Sequence, residues 1–307
     1  MIAFRDPEIG DRQWVEERFR ASGNQGCEYS FSTLFLWSGA YQQQVAPTDG
    51  FVLERLRGKL GAGYLFPAGS GPLEPVLSAL EKDAAERGEP CRFFCVTPEQ
   101  AERLEQLRPG QYAFQSDRDG WDYLYALDRL AGLGGKKRHG KRNHIRRFEE
   151  SHPDWQVEQI TMDNLAECAE MDLEWNRRYR SLDAAGEEAE ARTRLDERHA
   201  MSRAFAHYEA LGMDGLLLRT GGKVVAFTMG SPISADTFDV HFEKAYGEIQ
   251  GAYPMINREF ARWLQANRPG VRWLNREDDM GLEGLRKSKE SYYPDRMVEK
   301  SAAIRRD

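Results

Sequence analysis

The segment HFEKAYGEIQGAYPMIN, residues 241–257, connects a stretch with strand-like alternation to a stretch with helical periodicity. In TFDVHFEKA, residues 237–245, polar and apolar side chains alternate, which is typical of a strand with one face on a core. The turn GEIQGAY, residues 247–253, leads into MINREFARWLQA, in which apolar residues recur at helical spacing. The sequence therefore predicts a strand, a glycine turn and a helix in succession.

The polar face of the predicted strand carries side chains that suit proton transfer. Strict alternation places Asp239, His241 and Glu243 on the same face, together with Thr237. Transfer of an acyl group to an amine or a hydroxyl needs a proton acceptor. Glu243 and His241 are the candidates for this base, since imidazole titrates near neutral pH, and Asp239 is predicted to bind the substrate. The alternative is a face that is exposed to solvent or paired internally.

The predicted start of the helix is a candidate binding site for an acyl carrier. Backbone N–H groups at a helix start are unpaired and carry partial positive charge, so they can hold a phosphate or a developing oxyanion. Glycine lets the backbone approach such a ligand closely. Junctions of this kind are also common as purely structural features. The residues predicted to bind the carrier are Gln250, Gly251, Ala252, Tyr253 and Asn257.

Length and composition limit the class of protein. The 307 residues correspond to about two domains of ~150 residues each, and 40% hydrophobic with 30% charged residues is an ordinary globular balance. The net charge of −7 does not indicate a surface dominated by nucleic-acid binding. No apolar run approaches the ~20 residues that span a bilayer, and no leader peptide is visible at the N-terminus. A cytoplasmic location is expected.

The four cysteines are too few for a disulfide framework in a chain of this length. Cys91 and Cys95 flank the apolar pair in CRFFC, which is more typical of a buried strand than of a metal site. No second Cys/His pair completes a zinc-binding set. We therefore expect no metal.

One strongly basic run stands out in this acidic chain: GGKKRHGKRNHIRRFEES, residues 134–151. From Lys141 onward its pattern is helical, with Ile145 and Phe148 as apolar anchors. The run is either a solvated linker or an anion site for CoA phosphates, a tRNA backbone or lipid head groups. The residues predicted to bind the anion are Lys137, Lys141, Arg142 and Arg146.

An acidic run, Asn275-Arg276-Glu277-Asp278-Asp279, follows a predicted strand, and loops after strands often carry function in α/β folds. No histidine at ligand spacing accompanies the carboxylates, so metal binding is not indicated. The two remaining interpretations are binding of a substrate ammonium group and a structural network of ion pairs. The residues predicted to bind substrate here are Asn275, Glu277 and Asp278.

The order of predicted elements indicates a mixed α/β or α+β fold. The second half reads helix, hairpin, strand, glycine turn, helix, strand, helix, strand, and the first half is a looser version of the same order. We predict two domains, residues 1–128 and 129–307, that meet near residues 126–136. Asp119-Gly120 predicts a hairpin within residues 112–127, and the polar stretch 183–192 is expected to be mobile.

This order resembles the GCN5-related N-acetyltransferase fold. In that family a central strand is followed by a phosphate-binding loop and a helix that hold acyl-CoA. QGAYPMINREF, residues 250–260, resembles this loop but has only part of the family's glycine pattern. The resemblance implies two tandem acyltransferase-like domains, each a mostly antiparallel sheet flanked by helices.

A closer resemblance is to Fem-type aminoacyl-tRNA-dependent peptidyltransferases and to the C-terminal domain of phosphatidylglycerol lysyltransferase. The basic stretch at residues 140–160 is similar to the helix that opens the second Fem domain. GLRKSKESYYP, residues 284–294, is similar to a Fem segment, with Ser288 in place of the usual phenylalanine. Lys289 falls on the family lysine and Tyr292 near the closing aromatic. With HFEKA, GAY and NREDDMG, these segments most resemble soluble bacterial relatives of the lysyltransferase domain.

The resemblance implies an acyl- or aminoacyltransferase with acyl-CoA or aminoacyl-tRNA as donor. The acceptor would be a small molecule, a peptide or a lipid, and tRNA or CoA the expected partner. The competing hypothesis is a binding module that holds a nucleotide, lipid or peptide on a degenerate transferase fold. In the enzyme, Lys289 would polarise a carbonyl and Tyr292 would protonate the leaving group.

The last expectation combines Glu243, from the predicted strand, with Lys289, from the segment that resembles the Fem family. Glu243 and Lys289 are predicted to face one cleft beside the turn at residues 250–253, where a carboxylate and an ammonium make a minimal transfer site. On this hypothesis, replacing either side chain slows turnover with little loss of stability.

Overall fold

The structure, a computed structural model, describes residues 1–179 and 188–306. The chain divides into two compact units, each built from more than one segment. The first unit comprises Met1–Tyr123, Glu277–Arg286 and Arg296–Asp307, and the second comprises Leu124–Arg276 and Lys287–Asp295. Of the predicted mobile stretch, residues 183–187 lie outside the described ranges, and residues 188–192 begin a helix.

Helices are interspersed with strands along the described chain, with runs of consecutive strands at residues 44–69 and 214–245. The strands are β1 Gln44–Thr48, β2 Phe51–Gly58, β3 Gly61–Leu65, β4 Ala68–Gly69, β5 Arg92–Val96, β6 Tyr112–Ser116, β7 Asp122–Ala126, β8 Gln156–Gln159, β9 Asp214–Thr220, β10 Lys223–Pro232, β11 Thr237–Ala245, β12 Trp273–Asn275, β13 Arg296–Val298 and β14 Ser301–Arg305. The helices are α1 Arg12–Ser22, α2 Phe31–Tyr41, α3 Leu73–Glu86, α4 Pro98–Leu107, α5 Leu127–Gly132, α6 His139–Ser151, α7 Leu165–Tyr179, α8 Glu188–Ala206, α9 Ala252–Asn267 and α10 Glu283–Glu290.

The sheet of the first unit has the order β1-β2-β3-β5-β14-β6, with β4 paired to β2. Its pairs are antiparallel except for β3 and β5, which run parallel and are joined through α3. Leu77 and Leu80 of α3 pack with Phe93 of β5 in a fully buried core. The mixed, largely antiparallel sheet that the sequence predicts is confirmed for this unit.

The C-terminal strand β14 lies between β5 and β6 in the sheet of the first unit. Just before β14, the buried Lys300 donates to Asp122 at 2.6 Å and to Glu28 at 2.5 Å. A buried ammonium held by two carboxylates fixes the chain at this point. The predicted domain boundary at residues 128/129 stays a prediction. It assigns the whole C-terminal part of the chain to the second domain, whereas β14 pairs with strands of the first unit.

The predicted hairpin at Asp119-Gly120 is wrong, although the turn itself is present. The strand before the turn, β6, pairs with β14, and the strand after it, β7, pairs with β12. Partners that arrive from far along the chain therefore take the place of the local pairing that the turn signal suggested.

In the second unit the sheet runs β7-β12-β11-β10-β9-β8. The three strands β9, β10 and β11 form the predicted antiparallel meander, while β11 and β12 are parallel. The apolar face of α9 is buried against this sheet, with Phe260 of α9 packed edge-on against Phe238 of β11. The predicted strand, glycine turn and helix are confirmed as β11, the turn and α9.

A β-bulge in β11 overturns the predicted alternation of its side chains. Met229 pairs with Phe242, but the next residue, Gly230, pairs with Val240, so His241 is the extra residue. A side chain added at Gly230 would lie 1.9 Å from the carbonyl oxygen of Asp239, which explains the glycine at this position. The extra residue puts Asp239 and Glu243 on opposite faces of the sheet instead of on one.

In the described part of the chain, no helix combines the length and the apolar character that crossing a membrane requires.

Candidate functional site

The parallel strands β11 and β12 separate at the point where the candidate site begins. Their last paired residues are Asp239 and Asn275, after which β12 ends and β11 continues to Ala245. Ligands in open α/β sheets commonly bind where parallel strands end and the chain directions diverge. Glu243 and Arg276 lie just beyond this separation and form an ion pair of 2.8 Å.

Both carboxylate oxygens of Glu243 are used by its neighbours. Oε1 accepts from Nη2 of Arg276, and Oε2 accepts from Nδ2 of Asn257 on α9 at 3.0 Å. The side chains of Glu243 and Arg276 are only 9% and 10% exposed. Taking both charges out of water is costly, so the pair must stay complete to be tolerated. Glu243 is thereby better placed to hold Arg276 than to accept a proton.

Two buried polar atoms of this cluster lack a hydrogen-bond partner among the described residues: Nη1 of Arg276 and Oδ1 of Asn257. Buried polar groups are nearly always satisfied, and leaving one unsatisfied costs about 1–3 kcal/mol. One atom is a donor and the other an acceptor. A ligand that brings a carbonyl oxygen and an ammonium or hydroxyl group would satisfy both.

Aromatic rings and Lys289 enclose Arg276. Its guanidinium lies 4.8 Å from the ring centre of Tyr292 and 5.8 Å from that of Tyr125. Lys289, buried on α10, donates through Nζ to the carbonyl oxygen of Arg276 at 2.5 Å, and the Tyr125 hydroxyl donates to the carbonyl of Lys289. Glu243 and Lys289 therefore both attach to Arg276, one to its side chain and the other to its backbone.

The predicted anion-binding residues lie on or just before α6 and differ in their surroundings. Lys141 is half-buried with Nζ 3.8 Å from the centre of the Tyr292 ring, and Lys137 lies 5.4 Å from that of Tyr293. Arg142 donates to the carbonyl oxygens of Leu133 and Gly135, so it braces the entry to the helix.

Exposed basic residues lie just before α6 and along it. Arg146 is exposed and lies 3.7 Å from Glu150, and Arg147 is exposed. A shallow depression of about 420 Å³ is lined by Gly135, Lys136, His139 and Arg142. We call the exposed members of this surface the α6 basic face: Lys136, Lys137, His139, Arg146 and Arg147.

His241 and Asp239 form a separate buried group on the other face of the sheet. Ser231 Oγ lies 2.8 Å from Nε2 of His241, and Oδ2 of Asp239 lies 3.4 Å from its Nδ1. All three residues are buried. The structure thus brings Glu243, Asn257, Lys289 and Tyr292 together and leaves Asp239 and His241 apart from them.

The acidic run after β12 is divided between the two units, with Asn275 buried in the second and Glu277, Asp278 and Asp279 in the first. Within the first unit, Asp279 accepts from Arg286 and from the hydroxyl of Tyr123, at 2.9 and 2.6 Å. Against the effect of burial, these hydrogen bonds lower the pKa of Asp279 to about 2. Asp279 thus forms a structural ion-pair network of the kind that the sequence offered as one interpretation of this run.

Comparison with known proteins identifies the family. The profile of the phosphatidylglycerol lysyltransferase C-terminal family matches residues 19–304. The chain belongs to this family. No curated protein sequence matches it.

Three solved structures are similar to this member of the lysyltransferase C-terminal family. A conserved protein of unknown function from Bacteroides thetaiotaomicron is 37% identical with a TM-score of 0.92, and the match covers 100% of both chains. L-PGS from Bacillus licheniformis is 16% identical with a TM-score of 0.64, covering 96% of this chain and 92% of that one. FemX is 9% identical with a TM-score of 0.59, covering 98% and 97%. The predicted resemblance and the tandem acyltransferase-like fold are confirmed.

In this family member the start of α9 is packed against α6. Gly251 has φ 93°, and a side chain there would lie 2.4 Å from the carbonyl oxygen of His144. The N–H of Ala252 donates to the carbonyl of Ile249 at 3.1 Å, and Pro254 has no N–H. The described residues at this helix start therefore offer few free N–H donors for a pyrophosphate, and the carrier role predicted for residues 250–253 stays a prediction.

Replacing Gly251 by alanine tests this contact. We expect the free energy of unfolding to fall by more than about 1 kcal/mol, because alanine is strained at positive φ and its methyl group overlaps α6. The control is Gly140→Ala on the exposed side of α6, where a side chain meets nothing within 4 Å. The control should change stability by no more than about 1 kcal/mol, in the stabilising direction. Equal urea midpoints for wild type and Gly251→Ala would contradict the close packing.

Sequence reasoning missed Arg276, Tyr125 and Ser231 as members of the two buried groups. Arg276 was visible as the single basic residue in the acidic run NREDD. Ser231 and Tyr125 both occupy ordinary strand positions. Ser231 pairs with Asp239 between the consecutive strands β10 and β11, whereas Tyr125 reaches its group only because β7 pairs with β12, far along the chain.

Proposed function

We propose that this protein is an aminoacyltransferase, which moves an aminoacyl group from aminoacyl-tRNA to an amine or a hydroxyl of an acceptor. The observation that carries the proposal is the buried Glu243–Arg276–Asn257 cluster, in which one donor and one acceptor find no partner in the described part of the chain. An aminoacyl ester presents a carbonyl oxygen and an α-ammonium group close together. It therefore matches this pair of atoms better than a plain acetyl group does.

Each residue then has a role that follows from its contacts. Nη1 of Arg276 donates to the carbonyl oxygen, on which negative charge develops as the acceptor attacks. Oδ1 of Asn257 accepts from the α-ammonium group. Lys289 holds the backbone of Arg276 by its 2.5 Å hydrogen bond, so that the guanidinium is already placed when charge develops.

Two features favour tRNA over acyl-CoA as the carrier. The start of α9 is packed against α6 and offers few N–H donors, as described above. The α6 basic face presents exposed cations in a chain whose net charge is −7, which suits a polyanion. The family name adds phosphatidylglycerol as an acceptor to be tested.

The proposed function is tested by incubating the protein with tRNA charged with radiolabelled amino acids. Phosphatidylglycerol vesicles, small peptides and simple amines serve as acceptors, and transfer is measured as label in the acceptor. We expect turnover with at least one charged tRNA, and loss of turnover in Arg276→Met. Transfer from acyl-CoA alone would contradict the choice of donor. Binding of charged tRNA without turnover would support the binding module instead.

Charge reversal on the α6 basic face is expected to weaken tRNA binding. The triple variant Lys137→Glu, Arg146→Glu, Arg147→Glu should raise the Kd at low salt by about tenfold or more, and should flatten the dependence of log Kd on log salt. The control is Arg103→Glu, an exposed arginine of α4. Filter binding across a salt series measures both quantities. Equal slopes of log Kd against log salt for wild type and the triple variant would show that the α6 basic face is a solvated surface that does not bind tRNA.

A further inference from the structure

Lys141 lies in the second unit, and among the described residues its ammonium group contacts an aromatic ring and not a carboxylate. Its Nζ faces the Tyr292 ring at 3.8 Å, and the guanidinium of Arg276 stacks on the same ring at 4.8 Å. Within the part of the chain that the structure describes, Lys141 forms no ion pair with a carboxylate. The contact of its Nζ is therefore with an aromatic ring that a second cation also contacts.

The charged and titratable groups around this ring come from several elements. Arg276 follows β12, Glu243 lies on β11 and Tyr125 on β7, while Arg138, just before α6, donates to the carbonyl of Tyr292 at 2.9 Å. Burial and the positive charge of Arg276 lower the pKa of Lys141 to about 8, and the negative charge of Glu243 opposes them. At pH 7 roughly a tenth of Lys141 is then a neutral amine, against less than about a thousandth for a lysine with the usual pKa of ~10.4.

Other candidates for the proton acceptor are occupied. Glu243 uses both oxygens for Arg276 and Asn257, and Lys289 donates to a backbone carbonyl. His241 lies with Ser231 on the opposite face of the sheet. Lys141 contacts the Tyr292 ring, which Arg276 also contacts, and in its neutral form its Nζ carries a lone pair.

We propose that Lys141 is a catalytic residue, whose neutral amine accepts the proton of the acceptor's nucleophilic nitrogen or oxygen. This inference rests on the proposed aminoacyl transfer. As the acceptor attacks, its bond to the carbonyl carbon forms and its proton passes to Nζ of Lys141. The ester bond to the tRNA ribose then breaks, and the ribose oxygen takes up that proton, so Lys141 returns to the amine. Charge and atoms balance without any other reactant.

The first test needs no activity. Wild-type protein is labelled with trace acetic anhydride from about pH 6 to pH 11, and acetylation of Lys141 is followed by peptide mass spectrometry. The same lysine in protein unfolded in guanidinium chloride is the reference. We expect the labelling midpoint near pH 8 in the folded protein, against ~10.4 in the unfolded chain. Coincident midpoints in the two states would overturn the inference.

The second test uses the transfer assay with Lys141→Met, Lys141→Arg and the control Lys223→Met, an exposed lysine at the start of β10. Both Lys141 variants should lower kcat by about 10²–10⁴-fold with little change in KM for the charged tRNA, since general bases contribute that much. Arginine keeps the positive charge but does not give up its proton. Wild-type kcat should rise with pH and level off above pH ~8, because the amine form is the active one.

The outcomes separate this inference from the proposed function. Transfer by wild type together with full activity of Lys141→Arg would show that Lys141 only supplies charge, and would overturn the inference alone. Absence of transfer by wild type from every charged tRNA would overturn both. A lowered labelling midpoint and inactive Lys141→Arg, with Lys223→Met active, would support both.

Discussion

Replacing Glu243 by glutamine is expected to lower the free energy of unfolding by about 3–5 kcal/mol and to slow transfer about 100-fold or more. The loss of stability follows from burial, because the amide leaves Arg276 charged and unpaired in a site where its side chain is 10% exposed. The loss of rate follows from the same event, since an unpaired guanidinium is no longer held toward the carbonyl oxygen. This differs from the expectation from sequence, which treated Glu243 as a base with little role in stability.

Urea unfolding of the variant and of two companions measures this effect. Combining Glu243→Gln with Arg276→Met removes both charges, so the double variant should be more stable than Glu243→Gln alone. The control Glu248→Gln breaks a pair with Arg178 whose side chains are about half exposed, and should cost less than about 1 kcal/mol. A change below 1 kcal/mol in Glu243→Gln would show that water reaches the pair and that its burial does not constrain Arg276.

Local sequence patterns predicted the fold class, the meander and the strand–turn–helix unit because each depends on side chains close in sequence. The position of β14 in the first sheet depends on pairing with β5 and β6, far away in the chain, which no local pattern encodes. The bulge at His241 had one local signal, because a glycine inside a strand such as Gly230 often marks a bulge. A bulge predicted from Gly230 would have placed the side chains of Asp239 and Glu243 on opposite faces of the sheet.

The sequence predicted several residues of the candidate site but not the contacts that those residues make. Glu243, Lys289 and Tyr292 were named from the strand pattern and the family segment, and the structure gathers them around Arg276. Their partners could not be predicted, because hydrogen bonding of Glu243 to Asn257 and of Lys289 to a carbonyl depends on side-chain positions in three dimensions. Their catalytic roles stay predictions until transfer is measured.

The first unit also contains a buried carboxyl, that of Glu54, which no sequence pattern indicated. It lies on β2 with 2% exposure, and its Oε1 accepts from Nε2 of Gln43 at 2.9 Å. Oε2 of Glu54 and Oε1 of Gln43 both lack a hydrogen-bond partner among the residues described. A proton on Oε2 would let Glu54 donate to Gln43, which would satisfy both atoms at once. Burial, with a smaller contribution from the charge of Glu28, raises the pKa of Glu54 to about 8.

Glu54→Gln is therefore expected to stabilise the protein at pH 7 and to flatten its stability between pH 4.5 and 8. In the folded state Glu54 keeps its proton up to pH about 8, whereas in the unfolded chain it loses it near 4.5. The folded state binds more protons over this window, so stability is fully present below it and falls as pH rises, by at most about 1.4 kcal/mol per pH unit. Glutamine has the same shape and makes the paired hydrogen bonds with Gln43 without a proton.

Unfolding free energies of wild type and Glu54→Gln, measured in urea at several pH values, check this. The difference between the two proteins isolates Glu54, because the other titrating groups are common to both. It should be small below pH 4.5 and reach a few kcal/mol in favour of the variant by pH 8. Glu86→Gln, an exposed carboxyl on α3, is the control and should track wild type within about 1 kcal/mol. Parallel pH curves for wild type and Glu54→Gln would mean that Glu54 is ionised and solvated in the folded protein, which would contradict its burial beside Gln43.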